Sequence, residues 1–301
     1  MTLQQLRYIT VIADSGSMNE AAKKLFISQP SLSGAVKEME TELGFDIFLR
    51  SNRGIVITPE GEDFLGYARQ VIAQYELLNS RFIEKQVKKR FSVSMQHYSF
   101  AVKAFVEVVK QYGLDSYEFG VYETRTNEVI ENVRNFKSEI GILYLNDFNE
   151  NVLRKMFHEN DLEFYELFDC DTYVYLWEHH PLAKQDVISI EELEDYPCLA
   201  FDQGKTASLF LAEEQLGEYD YKRLIKANDR ATMLNLMMSL NAYTLCSGII
   251  SEELNQNAYK AIRLKESRKM HIGYVKRKGA AVSEIGKLYI AELEKNKAFV
   301  K

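Results

Sequence analysis

Gln29, Ser33 and Lys37 recur every four residues in the run Ser28-Gln29-Pro30-Ser31-Leu32-Ser33-Gly34-Ala35-Val36-Lys37, so a helix there carries all three on one face. Glutamine can read the edge of adenine, serine can meet a base or a phosphate, and lysine can meet a phosphate. With Pro30 and Ser31 beside them, they give a short helix a small polar outer face, the shape that fits the major groove of double-stranded DNA. Other candidate chemistries fail on spacing. Gly204-Lys205-Thr206 ends like a phosphate loop, but Leu199 stands where the first glycine must be. His179 and His180 are adjacent, so a helix cannot aim both at one metal. His97 with Ser99 is half of a nucleophilic pair with no identifiable acid to orient it.

The flanking residues position that face. Ser17 is a good N-cap and Glu20, three residues on, completes a capping box, which predicts a helix whose Ala21 and Ala22 admit a close neighbour and whose buried face continues to Leu25. Ser28 caps the next helix, with Pro30 in its first turn, where a missing N–H costs nothing. Leu32, Val36, Met39 and Leu43 recur at helical spacing towards a core, and Gly44 is the expected stop. Phe48 to Ile57 holds two short apolar segments around Asn52-Arg53-Gly54, which predicts a small hairpin, or wing, presenting Arg50 and Arg53 to phosphate or minor groove. Thr58-Pro59-Glu60-Gly61 then opens a helix with the seam Phe64, Ala68, Val71, Tyr75, Leu78 and Phe82, spaced four, three, four, three, four as in a coiled coil. A helix of about 30 residues is roughly 45 Å long, more than a small winged domain covers, which favours self-pairing along this seam over packing on its own domain.

At this point residues 1–88 resemble the DNA-binding region and linker helix of the LysR-type transcriptional regulators. The matching marks are Leu3, Leu6 and Ile9, Ser17 through Leu25, Ser28 to Ser33, Leu43-Gly44-Phe45, Phe48-Leu49-Arg50 and Thr58 to Gly61. Where the family usually has a long polar or basic side chain after the second serine of the recognition helix, this chain has Gly34 and Ala35. Glu38, Glu40 and Glu42 are expected to face away from DNA.

Composition agrees with a two-part protein. The 301 residues carry a net charge of −7, so the chain is no uniformly basic nucleic-acid binder. Residues 1–90 hold 12 Lys and Arg against 11 Asp and Glu, and the remainder holds 25 against 33. DNA binding must then depend on a few placed cations and be salt-sensitive. No apolar stretch suits a signal peptide or a membrane span. Cys170, Cys198 and Cys246 match neither zinc nor disulfide spacing, which points to the cytoplasm, with Cys198 a thiol sensor only if it escapes the usual buried structural role.

From Phe91 the pattern alternates. Phe91–Met95, Tyr117–Tyr122 and Ile140–Leu145 read as strands, and Phe100–Tyr112 and Asn127–Phe136 as helices, a βαβαβ series that builds a parallel sheet. From about Phe164 a second series follows: strand-like Cys170–Trp177, Ile190–Leu193 and Cys198–Phe201, helices at Ala207–Leu216 and Met233–Leu240, and a strand at Thr244–Ile250. His271–Val275 then returns as a strand, and the helix Ser283–Leu293 is expected to dock on the first lobe. Two α/β lobes around a cleft is also the layout of the regulatory half of LysR-type proteins, echoed in Glu139-Ile140-Gly141-Ile142, His180-Pro181-Leu182, Asp195-Tyr196-Pro197 and Phe201; the usual Gly-rich turn before the late strand is here Asn241-Ala242-Tyr243-Thr244.

The expected fold class is α/β with an N-terminal all-α winged helix-turn-helix and a C-terminal two-lobed, periplasmic-binding-protein-like α/β domain. The expected boundaries are 1–58 for DNA binding, 59–89 for the dimerisation helix and 90–301 for effector binding, with lobe I about 90–163 and 267–301 and lobe II about 164–266. An effector would sit at strand ends between the lobes. The candidates there are Gln96, His97, Tyr98 and Ser99, then Thr124, Thr126 and Tyr144, with Gln203 and Asn228 from the second lobe. Each alone is as readily a helix cap or loop residue; substituting Ser99 or Thr126 is expected to weaken the effector response and spare DNA binding.

The function expected is a cytoplasmic, sequence-specific DNA-binding transcriptional regulator, not an enzyme, with no cofactor and no metal, controlled by a small-molecule effector. The resemblance implies promoter DNA, a homodimer or homotetramer, and RNA polymerase as partners. The rivals are a ligand-independent DNA-binding regulator and a solute-binding or enzymatic α/β protein.

Overall fold

The structure is a computed structural model that describes residues 1–51, 54–82, 88–112, 116–204, 208–249 and 258–299. The chain divides into two compact units, 1–87 and 88–301.

The first unit packs three helices, a hairpin and the start of a long helix around one core. Helix α1 (Leu3–Ser15) begins at a full capping box between Thr2 and Gln5 and ends at Gly16, whose φ of 62° is the left-handed turn glycine tolerates best. Helix α2 (Met18–Leu25) lacks the capping box expected at Ser17: the Ser17 side chain makes no cap hydrogen bond, and Glu20 pairs with Lys23 at 2.7 Å instead. Helix α3 (Gln29–Leu43) is capped as its sequence predicts, Ser28 Oγ accepting from the Ser31 N–H at 3.2 Å and Gly44 closing it at φ 79°. Leu32, Val36 and Met39 are buried with Leu6, Ile9, Ile12, Ala21 and Ala22 in one cluster, and Leu43 packs at its edge. Strands β1 (Phe48–Ser51) and β2 (Gly54–Ile57) pair antiparallel as the expected wing.

Helix α4 (Pro59–Phe82) has 24 described residues, about 36 Å long. Its start is fixed by Thr58, whose hydroxyl donates to the Asp46 carbonyl at 2.7 Å and accepts from the Gly61 N–H at 2.9 Å. Gly61 is obligatory here, because a Cβ would lie 2.4 Å from the Ile47 carbonyl oxygen.

The second unit holds two sheets. The larger has the order β4-β3-β5-β13-β6, built from β3 (Lys89–Met95), β4 (Tyr117–Glu123), β5 (Ile140–Leu145), β6 (Leu162–Cys170) and β13 (Met270–Arg277). Strands β3, β4 and β5 are parallel, joined by α5 (Ser99–Tyr112) and α6 (Thr126–Arg134), as the βαβαβ pattern predicts. Helix α7 (Glu150–Glu159) and β6 extend this lobe, so it takes in residues up to Cys170 and the chain crosses over later than residue 164. The closing helix, numbered α10 here (Glu284–Glu294), returns to lobe I, burying Ile285, Tyr289 and Leu293 with Phe91, Phe100 and Phe105.

The second lobe centres on a sheet of order β11-β7-β12-β8: β7 (Tyr173–Trp177), β8 (Val187–Ile188), β11 (Thr244–Cys246) and β12 (Tyr259–Leu264). Parallel strands β9 (Cys198–Phe201) and β10 (Leu224–Ala227) join it through a bridge from Cys198 to Tyr243. Ile190–Leu193 is not a strand but one helical turn, α8, because Ser189 and Glu192 form a capping box. The helix expected at Ala207–Leu216 is reduced to a single 3-10 turn, Leu209–Leu211. Helix α9 (Arg230–Leu240) is capped by Asp229 and ends at Asn241, which takes the left-handed conformation (φ 48°). Asn241 is held there by Trp177, whose indole N–H donates to its side chain at 2.8 Å, and by His180, which contacts its carbonyl at 3.0 Å.

Candidate DNA interface and interlobe cleft

On α3, Pro30, Ser31, Gly34 and Lys37 are exposed, and Gln29 and Ser33 are half-buried. Ser28 and Ser31 share a hydroxyl–hydroxyl hydrogen bond of 2.7 Å that fixes the helix start. The three glutamates of α3 have structural partners. Glu38 accepts from the Gln5 side chain at 3.1 Å, Glu42 pairs with the N-terminal amine at 2.6 Å, and Glu40 accepts the Ile47 and Phe48 N–H groups at 2.9 and 3.1 Å, tying the recognition helix to the wing. Arg53 and the side chain of Arg50 lie outside the described residues. Periodicity gave no warning of Phe26: it ends α2 at φ 55° and is 95% exposed between α2 and α3, too isolated in sequence from any apolar repeat to be singled out.

The seam of α4 divides. Phe64 and Ala68 pack into the core of the first unit, whereas Val71, Tyr75 and Leu78 are exposed together with Tyr67. The side chain of Phe82 lies outside the described residues.

In the second unit, the carboxyl ends of β3, β4 and β5 face residues of lobe II. The segment after β9 explains why no long helix forms there: its polar groups bond to lobe I. Thr126, fully buried at the start of α6, donates its hydroxyl to the Leu211 carbonyl at 2.8 Å and accepts from the Gln96 amide at 2.6 Å. Tyr144 donates to the Ala212 and Glu214 carbonyls at 3.1 and 3.3 Å, and Asn146 donates to the Gln215 side chain at 2.7 Å. Gln203 accepts from the Thr126 N–H at 3.0 Å and donates to Glu213 at 2.7 Å. Arg125 reaches Asp202 through its backbone carbonyl at 2.9 Å and its carboxylate at 2.7 Å, and Arg230 pairs with Glu123.

Beside this seam lies a cavity of about 80 Å³. Lobe I supplies His97, Tyr98, Ser99 and Phe100; lobe II supplies Phe201, Glu213, Glu214, Arg230, Thr244 and Ser247, with an apolar wall that includes Met233 and Met237. Three of the nine sequence candidates, His97, Tyr98 and Ser99, therefore line the cavity. Thr126, Tyr144 and Gln203 instead hold the lobes together, Gln96 bonds to Thr126 and Tyr98 within lobe I, Thr124 bonds to Glu128, and Asn228 is exposed.

The cavity is rich in buried acid. Glu213 takes both the backbone N–H (3.0 Å) and the Nδ1 (2.7 Å) of His97, whose ring stacks on Phe201 with centroids 3.5 Å apart. Glu214 accepts the Phe201 N–H at 2.9 Å. Burial, and next the Glu213 carboxylate, push the Glu214 carboxyl well above the usual range. Sequence reasoning passed over both glutamates; the only signal was an acidic pair inside the apolar run from Leu209 to Leu216. Cys170, Cys198 and Cys246 have thiols pushed up to about 12, in each case chiefly by burial, the opposite of a reactive thiolate. Among the described residues, Glu166, Asp169 and His271 are the only carboxylate and imidazole donors close enough to share an ion, with ligand atoms within 4.8 Å; they are largely exposed.

Residues 3–62 match the family described as bacterial regulatory helix-turn-helix protein, lysR family, and residues 116–296 match the LysR substrate binding domain. The chain belongs to the LysR family of transcriptional regulators. It is a DNA-binding regulator with an effector-binding domain, and control by an effector is the norm of the family. The chain is 23% identical over 278 residues to an uncharacterized HTH-type transcriptional regulator, YvbU, of Bacillus subtilis, covering 88% of this chain and 91% of that one. In fold it resembles a full-length OxyR from Pseudomonas aeruginosa (TM-score 0.65, 20% identity, 98% of each chain) and CbnR, a LysR family transcriptional regulator (TM-score 0.60, 17% identity, 99% of each chain). Among the described residues no helix is long and apolar enough to cross a membrane.

Proposed function

We propose that this LysR-family regulator binds promoter DNA through the α3 face of Gln29, Pro30, Ser31, Ser33 and Lys37, with Arg50 and Arg53 of the wing on the backbone, and that a small molecule in the interlobe cavity sets its activity. The proposed parts are 1–58 for DNA, 59–89 for pairing and the remainder for the effector. Pairing runs along the exposed stripe of Val71, Tyr75 and Leu78, extended by Tyr67, and contact between effector domains makes the homotetramer. Two recognition helices then meet half-sites a whole number of turns apart on one DNA face. The chain works in the cytoplasm, catalyses no reaction, needs no cofactor, and acts on transcription together with RNA polymerase.

The observation that carries the effector reading is the cavity itself. It lies where the end of β3 and the start of α5 meet β11 and α9, so a ligand there touches both lobes and its affinity depends on how they are closed. Footprinting of the full chain on its own upstream region, with and without a metabolite panel, tests it. The expected result is a protected region that changes in extent with one metabolite. Unchanged protection across the panel, with normal transcriptional control, returns the ligand-independent reading, and turnover of a metabolite without retardation of promoter DNA returns the enzymatic one.

A further inference from the structure

The cavity's chemistry narrows the kind of ligand it takes. Its volume, about 80 Å³, is well under the several hundred Å³ of a drug-sized pocket. Its wall offers two buried carboxyl groups, Glu213 and Glu214. The cation that reaches the cavity, Arg230, is already paired with Glu123, and His97 is held by Glu213. Glu214 meets no cation at ion-pair distance among the described residues. A second, independent feature points into the same space. Thr244, 92% buried in β11, is part of the cavity wall, and its hydroxyl has no hydrogen-bond partner. An orphaned buried hydroxyl is costly, so it marks a place where a polar group belongs. Building on the effector reading above, we propose that the ligand is a small primary amine bound as its ammonium ion, with the headgroup among Glu213, Glu214 and Thr244 and a short aliphatic tail against Met233, Met237 and Ile249.

An ammonium group has three N–H donors and no acceptor. It therefore suits the carboxyl groups of Glu213 and Glu214 and a hydroxyl, its charge drawing Glu214 into the ionised form, whereas a carboxylate ligand would find no free cation to balance it. The apolar wall rewards a few methylene groups.

The test uses the full chain and follows thermal unfolding by the fluorescence of Trp177, the single tryptophan, which sits in β7 of lobe II. Propylammonium chloride, 1-propanol and sodium propionate are compared at equal millimolar concentration and matched ionic strength. The expected result is a midpoint raised by several degrees with propylammonium and unmoved by the other two. Glu214→Gln and Thr244→Val, each measured against its own unliganded midpoint, should weaken apparent amine affinity at least tenfold and threefold. Stabilisation by propionate with propylammonium silent overturns the amine assignment and leaves the cavity as the effector site. So does silence of all three probes while an unrelated metabolite changes the footprint. Silence of the probes together with an unchanging footprint overturns both readings. Full amine response in both variants also overturns the proposal.

Discussion

Thr126→Val separates two roles that the sequence ran together. In the sequence Thr126 and Ser99 look alike, polar residues after parallel strands at the edge of a cleft. In the structure Ser99 lines the cavity, and its hydroxyl lies 3.5 Å from the Ile249 carbonyl, the outer limit of a hydrogen bond. Thr126 is fully buried and carries two short bonds, accepting from Gln96 at 2.6 Å and donating to Leu211 at 2.8 Å. Valine fills nearly the same volume, so no cavity opens, but a buried amide N–H and a buried carbonyl lose their partners. At about 1–3 kcal/mol for each group stranded, and with some relief from rearrangement, the loss is about 2–4 kcal/mol. Urea unfolding of the full chain followed by Trp177 reports the second unit, because the tryptophan lies in lobe II with its N–H on Asn241 at 2.8 Å. With a slope of about 2–3 kcal/mol per M, the midpoint should fall by about 1 M at unchanged slope. Ser99→Ala should move it by under about 0.2 M, since one marginal, partly exposed bond is lost. Thr126→Val behaving like Ser99→Ala would refute the view that Thr126 clamps Leu211 to lobe I, and would return it to the ligand-contacting role its sequence position suggests.

Three further outcomes are expected. Because Glu214 is held protonated up to about 8 in the fold but ionises near 4.5 when unfolded, its contribution is fully present below about 4.5 and is lost as pH rises through about 8, so Trp177-monitored stability should fall across that window by at most about 1.4 kcal/mol per pH unit, and Glu214→Gln should flatten the slope. Lys37→Ala should weaken binding to all DNA sequences alike and reduce the salt slope by about one, whereas Gln29→Ala should relax preference at one base position; gel retardation over a salt series with operator variants checks both. With buried thiols pushed up to about 12, Cys170 and Cys198 should react with maleimide at pH 7 much more slowly in the folded chain than in urea, and rapid labelling of either in the native protein would contradict its burial.

The first unit was legible because its signals are local. The Ser28 cap, the Pro30 position, the Gly44 stop and the 3.6-residue spacing of Leu32, Val36 and Met39 act over one or two turns, and the structure keeps each of them. Ser17 shows the limit of such signals: a capping box needs a rotamer as well as a sequence, and Lys23 competes for Glu20. The seam of α4 was legible as periodicity but not as partnership. The same spacing serves the domain's own core at Phe64 and Ala68 and an open face at Val71, Tyr75 and Leu78, and only burial distinguishes the two.

The second unit was legible to the level of strand order in lobe I, where apolar runs such as Ile140–Leu145 are buried on both faces. Leu209–Leu216 was misread for a physical reason that bears on function. Its apolar spacing suits a helix, yet the carbonyls of Leu211, Ala212 and Glu214 are taken by Thr126 and Tyr144 of the other lobe. Tertiary hydrogen bonds outweigh a modest helical preference there. The consequence is that this segment, which belongs to lobe II by chain and packs there at Leu216, is also bonded to lobe I, so any relative movement of the lobes must either carry it along or break bonds. Both buried glutamates of the cavity sit on it, among the bonded carbonyls. A ligand bound to Glu213 and Glu214 favours the arrangement in which the segment stays docked. That differential affinity, not tight binding alone, is what a regulator of this layout requires to pass occupancy of the cavity on to the DNA-binding unit.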